Sequence, residues 1–217
     1  MTVTASGVTR TFQHDNGPVE VLRGVDLSVS PGEFVTVSGR SGSGKSALFS
    51  ILCGFDQPDS GSVLICGEPV VSPPPWQRCA VLPQALGLAG ELTVAENVAL
   101  PLRLNRPRPS EAAVTDRVAD LLGRLGIGTL GDRYPNEISY GQQQRAALAR
   151  ALSGGPAVLL ADEPTAHLDH DSIGPVLRLL RDAAEEGATV LVATHHDEVH
   201  ERADRTLALA GGRIVAA

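Results

Sequence analysis

The rhythm of hydrophobic and polar positions changes three times along the chain. Up to about Gly32 short apolar segments alternate with polar residues, as in Val19-Glu-Val-Leu and Val25-Asp-Leu-Ser-Val, with Gly and Pro between them, which predicts edge-type β structure broken by turns. Phe34-Val-Thr-Val is a β-branched strand that runs into a glycine-rich loop. Beyond the loop, Ala47-Leu-Phe-Ser-Ile-Leu-Cys has the spacing of a helix stopped at Gly54. From Leu92 to Ser153 the period is that of helices. Thr93 and Glu96 are spaced as a capping box ahead of Asn97-Val-Ala-Leu. Ser110 starts a helix with the stripe Val114, Val118, Leu121, Leu122 and Leu125, closed by Gly126, and Ser139 with Gln142 opens another through Leu152. Ala157-Val-Leu-Leu-Ala and Thr189-Val-Leu-Val-Ala are continuous apolar runs of buried-strand type. Between them lies an amphipathic helix from Ile173 to Glu186, ended by Gly187. Leu207-Ala-Leu and Ile214-Val around Gly211-Gly212 form a closing hairpin.

Strands alternating with helices predict an α/β fold with a mostly parallel sheet covered on both faces. The chain is then one domain, 1–217, in which an α/β core with an antiparallel β part (1–91 and 154–217) carries a helical insertion (92–153). With 217 residues, 42% of them hydrophobic, there is ample material for a core. A formal charge of −7 argues against nucleic acid or an anionic membrane surface as partner. No apolar run is long enough to span a membrane and the first residues do not resemble a signal peptide, which predicts a soluble, cytoplasmic chain. Cys53, Cys66 and Cys79 have neither the spacing of a zinc knuckle nor an even count for disulfides, and are expected as buried thiols.

Lys45 is the sole lysine, and its neighbours give a reason for it. Gly39-Arg40-Ser41-Gly42-Ser43-Gly44-Lys45-Ser46 matches a phosphate-binding loop, whose glycines let backbone N–H groups converge on phosphate oxygens at a helix N-terminus. In that chemistry Lys45 reaches the β- and γ-phosphates of a nucleotide and the Ser46 hydroxyl ligates Mg²⁺. Asp162-Glu163 at a strand end adds a carboxylate for the metal and a general base for water.

These segments, with five more features, resemble the ATP-binding cassette (ABC) ATPase family over essentially the whole chain. Gln84 in Val81-Leu-Pro-Gln matches the family's Q-loop glutamine, which contacts the metal and the membrane partner. Ser139-Tyr140-Gly141-Gln142 resembles the signature segment, Thr165-Ala-His-Leu-Asp169 the D-loop, His195 the switch histidine that senses the γ-phosphate, and Phe12 the aromatic that stacks on adenine. The resemblance implies a P-loop NTPase (RecA-like) core, ATP and Mg²⁺ as cofactors, and a head-to-tail dimer with two ATPs at its interface. It also implies a separate transmembrane permease that holds the cassette at the inner face of the plasma membrane. Leu92-Thr-Val-Ala-Glu-Asn-Val-Ala-Leu-Pro-Leu, Tyr134-Pro-Asn-Glu-Ile-Ser and Gly141-Gln-Gln-Gln-Arg are similar to the lipoprotein-release, macrolide-export and antimicrobial-peptide-resistance group. Ending at Ala217, the sequence has no room for the C-terminal regulatory domain of many sugar importers. Both features favour an extrusion-type ATPase. An envelope-regulation or cell-division ATPase and a low-turnover ATP sensor are the alternatives. Tyr140 departs from the family, standing where the signature has its first glycine, and counts toward the sensor.

His196, His200 and Glu201 have the spacing of a metal pair but read as a solvated helix start. Arg103, Arg106 and Arg108 read as a solvated loop, and Trp76 as either a contact residue or a buried turn aromatic.

Overall fold

The computed structural model describes residues 1–15 and 17–216. The first two strands, β1 (Val3–His14) and β2 (Gly17–Val29), form a long antiparallel ribbon. Val19–Leu22 and Val25–Val29, expected as separate segments, are one strand: Gly24, at φ +79, is absorbed as an irregularity rather than a turn. β3 (Phe34–Ser38) leads through the glycine loop into α1 (Lys45–Leu52), which starts two residues before the expected helix. β4 (Ser60–Ile65) and β5 (Glu68–Pro69) join the ribbon in a four-stranded antiparallel sheet ordered β2-β1-β4-β5.

β6 (Cys79–Leu82) precedes three helices, α2 (Val94–Leu104), α3 (Glu111–Arg124) and α4 (Tyr140–Ser153). Each starts where the capping signals place it. Thr93 and Ser139 make complete capping boxes, and the Ser110 hydroxyl accepts the Ala113 N–H. The chain then alternates through β7 (Val158–Asp162), α5 (His170–Glu185), β8 (Thr189–Ala193) and the short α6 (Asp197–His200), and closes with β9 (Arg205–Ala210) and β10 (Arg213–Ala216). α5 begins three residues before Ile173 because Asp169 caps it, accepting the Ser172 N–H.

The second sheet is ordered β10-β9-β3-β8-β7-β6, parallel except for the β9–β10 hairpin. Alternation of side chains across its buried strands explains the unbroken apolar runs. Leu159, Ala161, Val190 and Val192 face α2 to α5, while Val158, Leu160, Leu191 and Ala193 face α1 and the antiparallel sheet. Helices α2 to α4 thus share one continuous core with the sheet. Each buried Leu or Val of this kind contributes about 1.5–3 kcal/mol. Registers Val37↔Ala193 and Asp162↔Ala193 bring the C-terminal ends of β3, β7 and β8 to one edge.

Cys53 and Cys79 are buried, and burial pushes the Cys79 thiol up to about 12. Cys66, expected inside, is exposed on the tight β4–β5 turn at φ +52. Trp76 is 41% exposed, which excludes the buried-turn reading. Arg103 lies within α2 and pairs, as does Arg108, with Glu111, so the arginine segment is partly tied down rather than simply solvated.

Candidate functional site

At the edge where β3, β7 and β8 end, the glycine loop turns into α1. Gly42 and Gly44 have φ +77 and +103, a region closed to most side chains, and Gly44 caps the helix there. A Cβ on Gly39 would lie 2.5 Å from Ser43 Oγ and 2.7 Å from the Leu209 carbonyl, so only glycine fits. Arg40, Ser41, Gly42 and Ser43 form the crest, closed by the Ser43 N–H donating to the Arg40 carbonyl at 3.0 Å. Lys45 folds back over it, Nζ donating to the Gly39 carbonyl at 2.6 Å. Ser43 Oγ is buried with no hydrogen-bond partner among the described residues, a polar atom in want of a ligand at the centre of the loop.

Across from α1, Ser46 Oγ donates to Asp162 Oδ2 at 3.2 Å. Burial raises the Asp162 carboxyl above the ordinary value, Ser46 and Lys45 oppose that shift, and the neighbouring Glu163 adds to it. A half-buried carboxylate beside a hydroxyl is a hard-oxygen pair of the kind that holds Mg²⁺.

Glu163 is held with care. Its backbone sits at φ +50, with its N–H donating to the Ala193 carbonyl and its own carbonyl accepting Gln144 Nε2 at 2.7 Å. A non-glycine residue in this region is uncommon and is held there by its surroundings. The side chain is 14% exposed; Oε2 accepts from Thr194 Oγ1 at 3.1 Å and Oε1 lies 2.8 Å from His195 Nδ1. Sequence reasoning missed Gln144 and Thr194. Gln144 stands in the quoted Gly141-Gln-Gln-Gln-Arg run, where nothing in the sequence marks it out from its neighbours; the fold buries it to 4% exposure.

The signature segment opens α4 beside this group. Ser139 and Gln142 satisfy one another, leaving the N–H groups of Tyr140 and Gly141 in the first turn, where a helix supplies no acceptor. Tyr140 has an ordinary helical backbone. Its ring turns toward the D-loop. It meets the His167 ring edge-on at 5.1 Å, and its hydroxyl donates to the Gln84 carbonyl at 3.0 Å. Gly141 lies tight against the D-loop, where an added Cβ would stand 3.1 Å from the His167 carbonyl.

Not every expected residue converges. Gln84 is exposed and meets the signature through its carbonyl. The Asp169 carboxyl caps α5, where Ser172 holds it below the usual range. Phe12 lies on the β1–β2 ribbon with the Arg10 guanidinium 4.9 Å over its ring.

The ABC transporter family profile matches residues 22–166. The chain is 39% identical to the lipoprotein-releasing system ATP-binding protein LolD of Gluconobacter oxydans (strain 621H), over 96% of this chain and 93% of that protein. It is 39% identical to the macrolide export ATP-binding/permease protein MacB of Azoarcus sp. (strain BH72), over 99% of this chain. It spans only 33% of that longer protein. The methionine import ATP-binding protein MetN of Cereibacter sphaeroides is 40% identical, over 99% of this chain and 63% of its own length. Among solved structures, the cassette MJ0796, in a dimeric post-hydrolysis state bound to ADP and Pi, superposes with a TM-score of 0.89 at 32% identity, covering 98% of this chain and 96% of that one.

Proposed function

This chain belongs to the ABC transporter family as an ATP-hydrolysing cassette, and from that premise we propose how its residues divide the work. Backbone N–H groups of residues 39–44 cradle the phosphates of ATP, and Lys45 leaves the Gly39 carbonyl to complement the β- and γ-phosphates. Ser46 and Asp162, with the Gln84 side chain, hold Mg²⁺, which when bound neutralises phosphate charge. Phe12 offers its ring face to adenine.

Glu163 orients and deprotonates the attacking water. The observation that carries this reading is the Glu163 carboxylate, fixed by Thr194 and His195 at the edge where the phosphate loop and Asp162 also stand. His195, 65% exposed in its side chain, is placed to pass from Glu163 toward the γ-phosphate. Among the described residues, Ser139, Tyr140, Gly141, Gln142 and Asp169 make no hydrogen bond to residues 39–46, which supports a head-to-tail pair. In it α4 of one copy points its first-turn N–H groups and positive dipole end at the other copy's γ-phosphate.

The domain division 1–91 and 154–217 against 92–153 is part of the same proposal. So is attachment to a separate permease at the inner face of the plasma membrane. No helix among the described residues is long and apolar enough to cross a membrane. A groove of about 270 Å³ lined by Phe55, Pro73, Pro74, Trp76, Pro101 and Arg150 supports such a partner, with Phe55 and Trp76 exposed on it. Arg150 also donates to the Leu86 and Gly87 carbonyls, so the groove adjoins the Gln84 segment. Extrusion rests on the 92–102 and 134–145 segments, because relatives named for export and for import match at similar identity. The test is ATPase activity of the permease-bound chain. Mg²⁺-dependent turnover that rises with transported cargo supports the reading; Mg²⁺-independent turnover, or none, opposes it.

A further inference from the structure

The turn after β8 brings together three groups that sequence spacing did not. Glu163, His195 and His196 place one carboxylate oxygen and two imidazole nitrogens within 4.8 Å of one another. His200, which has the spacing to pair with His196, instead sits with Nδ1 2.8 Å from Thr36 Oγ1. The rings of His195 and His196 lie 4.3 Å apart at 33°.

His196 has no evident structural duty for its ring. It is the N-cap residue of α6, yet its side chain caps nothing, and the turn is held by its backbone N–H donating to Thr194 Oγ1. Two imidazoles and a carboxylate are the donor set of borderline cations; Zn²⁺ binds such atoms at about 2.0–2.2 Å, which in a tetrahedron sets neighbouring donors ~3.3 Å apart. Glu163 Oε1 and His195 Nδ1 are already 2.8 Å apart, and the exposed His195 ring has room to open that contact. Mg²⁺ prefers oxygen donors, which assigns it to Ser46 and Asp162 instead.

We propose that Glu163, His195 and His196 form a three-ligand site for a borderline transition-metal dication of the Zn²⁺ type, separate from the Mg²⁺ of hydrolysis, and that its occupancy inhibits the ATPase. A cation here takes the Glu163 oxygen that would accept the proton of water and pins His195 away from the γ-phosphate. The inhibition rests on the proposed role of Glu163; the binding does not.

The full-length, nucleotide-free chain is titrated with Co²⁺, read by its visible absorption, and with Zn²⁺ by calorimetry, and ATPase is measured at fixed Mg²⁺-ATP over a Zn²⁺ series with recovery by EDTA. His196→Gln removes one ligand and keeps the backbone contact with Thr194, so its metal-free ATPase matches wild type. The expected result is one Co²⁺ or Zn²⁺ per wild-type chain, EDTA-reversible inhibition, and in His196→Gln an affinity and an inhibition midpoint both weakened by about tenfold or more. Cys66→Ser, which removes the exposed thiol, leaves both unchanged. No binding by wild type, equal binding by His196→Gln, or loss of binding in Cys66→Ser would overturn the site. Binding through His196 without inhibition would leave the metal site standing and overturn its effect on turnover, pointing to a fault in the role given to Glu163.

Discussion

The Tyr140 hydroxyl donates to the Gln84 carbonyl at 3.0 Å, so the residue that departs from the family signature links the start of α4 to the Q-loop. Its ring edge on His167 extends the link to the D-loop. Position 140 is ordinary helix, so its backbone does not require glycine, whereas Gly141 has a carbonyl 3.1 Å from where its Cβ would be.

A link between loops could brake turnover or merely brace it, and its size decides. Tyr140 is 45% exposed and water can replace its hydroxyl at Gln84, so the bond contributes about 0.5–1.5 kcal/mol. Tyr140→Phe and Tyr140→Gly should each change the ATPase rate of the permease-bound chain by less than tenfold, under ~1.4 kcal/mol in the barrier. A hundredfold gain in either would show that the tyrosine holds the enzyme slow.

Lys45→Ala removes the cation that the phosphate loop supplies and leaves its glycine geometry alone. ATP affinity measured by calorimetry should drop at least tenfold, about 1.4 kcal/mol, with the fold intact by circular dichroism. Wild-type affinity in the folded variant would remove the phosphate-loop assignment.

Asp162 should show opposed effects on stability and binding. Burial raises its carboxyl, so the folded chain holds that proton more tightly than the unfolded chain. The ionised group therefore costs stability above the raised value, and the cost fades as pH falls below it. At neutral pH, Asp162→Asn should raise the melting temperature of the nucleotide-free chain while weakening Mg²⁺-dependent ATP binding. An unchanged or lower melting temperature would mean that Ser46 and Lys45 already offset burial.

Gln144→Leu strips the donor from the Glu163 carbonyl in a buried setting, where an unmet acceptor costs about 1–3 kcal/mol. Each 1 kcal/mol should lower the melting temperature by about 2–4 °C, and turnover should fall more than ATP affinity because Glu163 loses its backbone support. Equal loss of both would reduce Gln144 to a structural residue.

The starts of α2, α3 and α4 were legible in the chain because capping is local: Thr93, Ser110 and Ser139 act within three residues of themselves. The phosphate loop was legible for the same reason. Cys66 was not, since its exposure depends on a turn between β4 and β5 rather than on its apolar character. Nor was the bracing of Glu163 by Gln144 and Thr194, which are 19 and 31 residues away in sequence: Thr194 meets it because β7 and β8 end together, and Gln144 reaches it from α4. Tyr140 was legible as an oddity, but its direction was set by Gln84, 56 residues earlier.

The central claim is that Glu163, held by Thr194 and His195, is the base for hydrolysis in a dimer closed by ATP. Glu163→Gln keeps the shape and the backbone at φ +50 and removes the proton acceptor. With Mg²⁺-ATP, ATPase rate and light-scattering mass are measured on the permease-bound and the free chain. The account predicts wild-type ATP affinity, hydrolysis slower by about a hundredfold or more, and a persistent dimer. Hydrolysis at the wild-type rate, or ATP-loaded protein that stays monomeric, would contradict it.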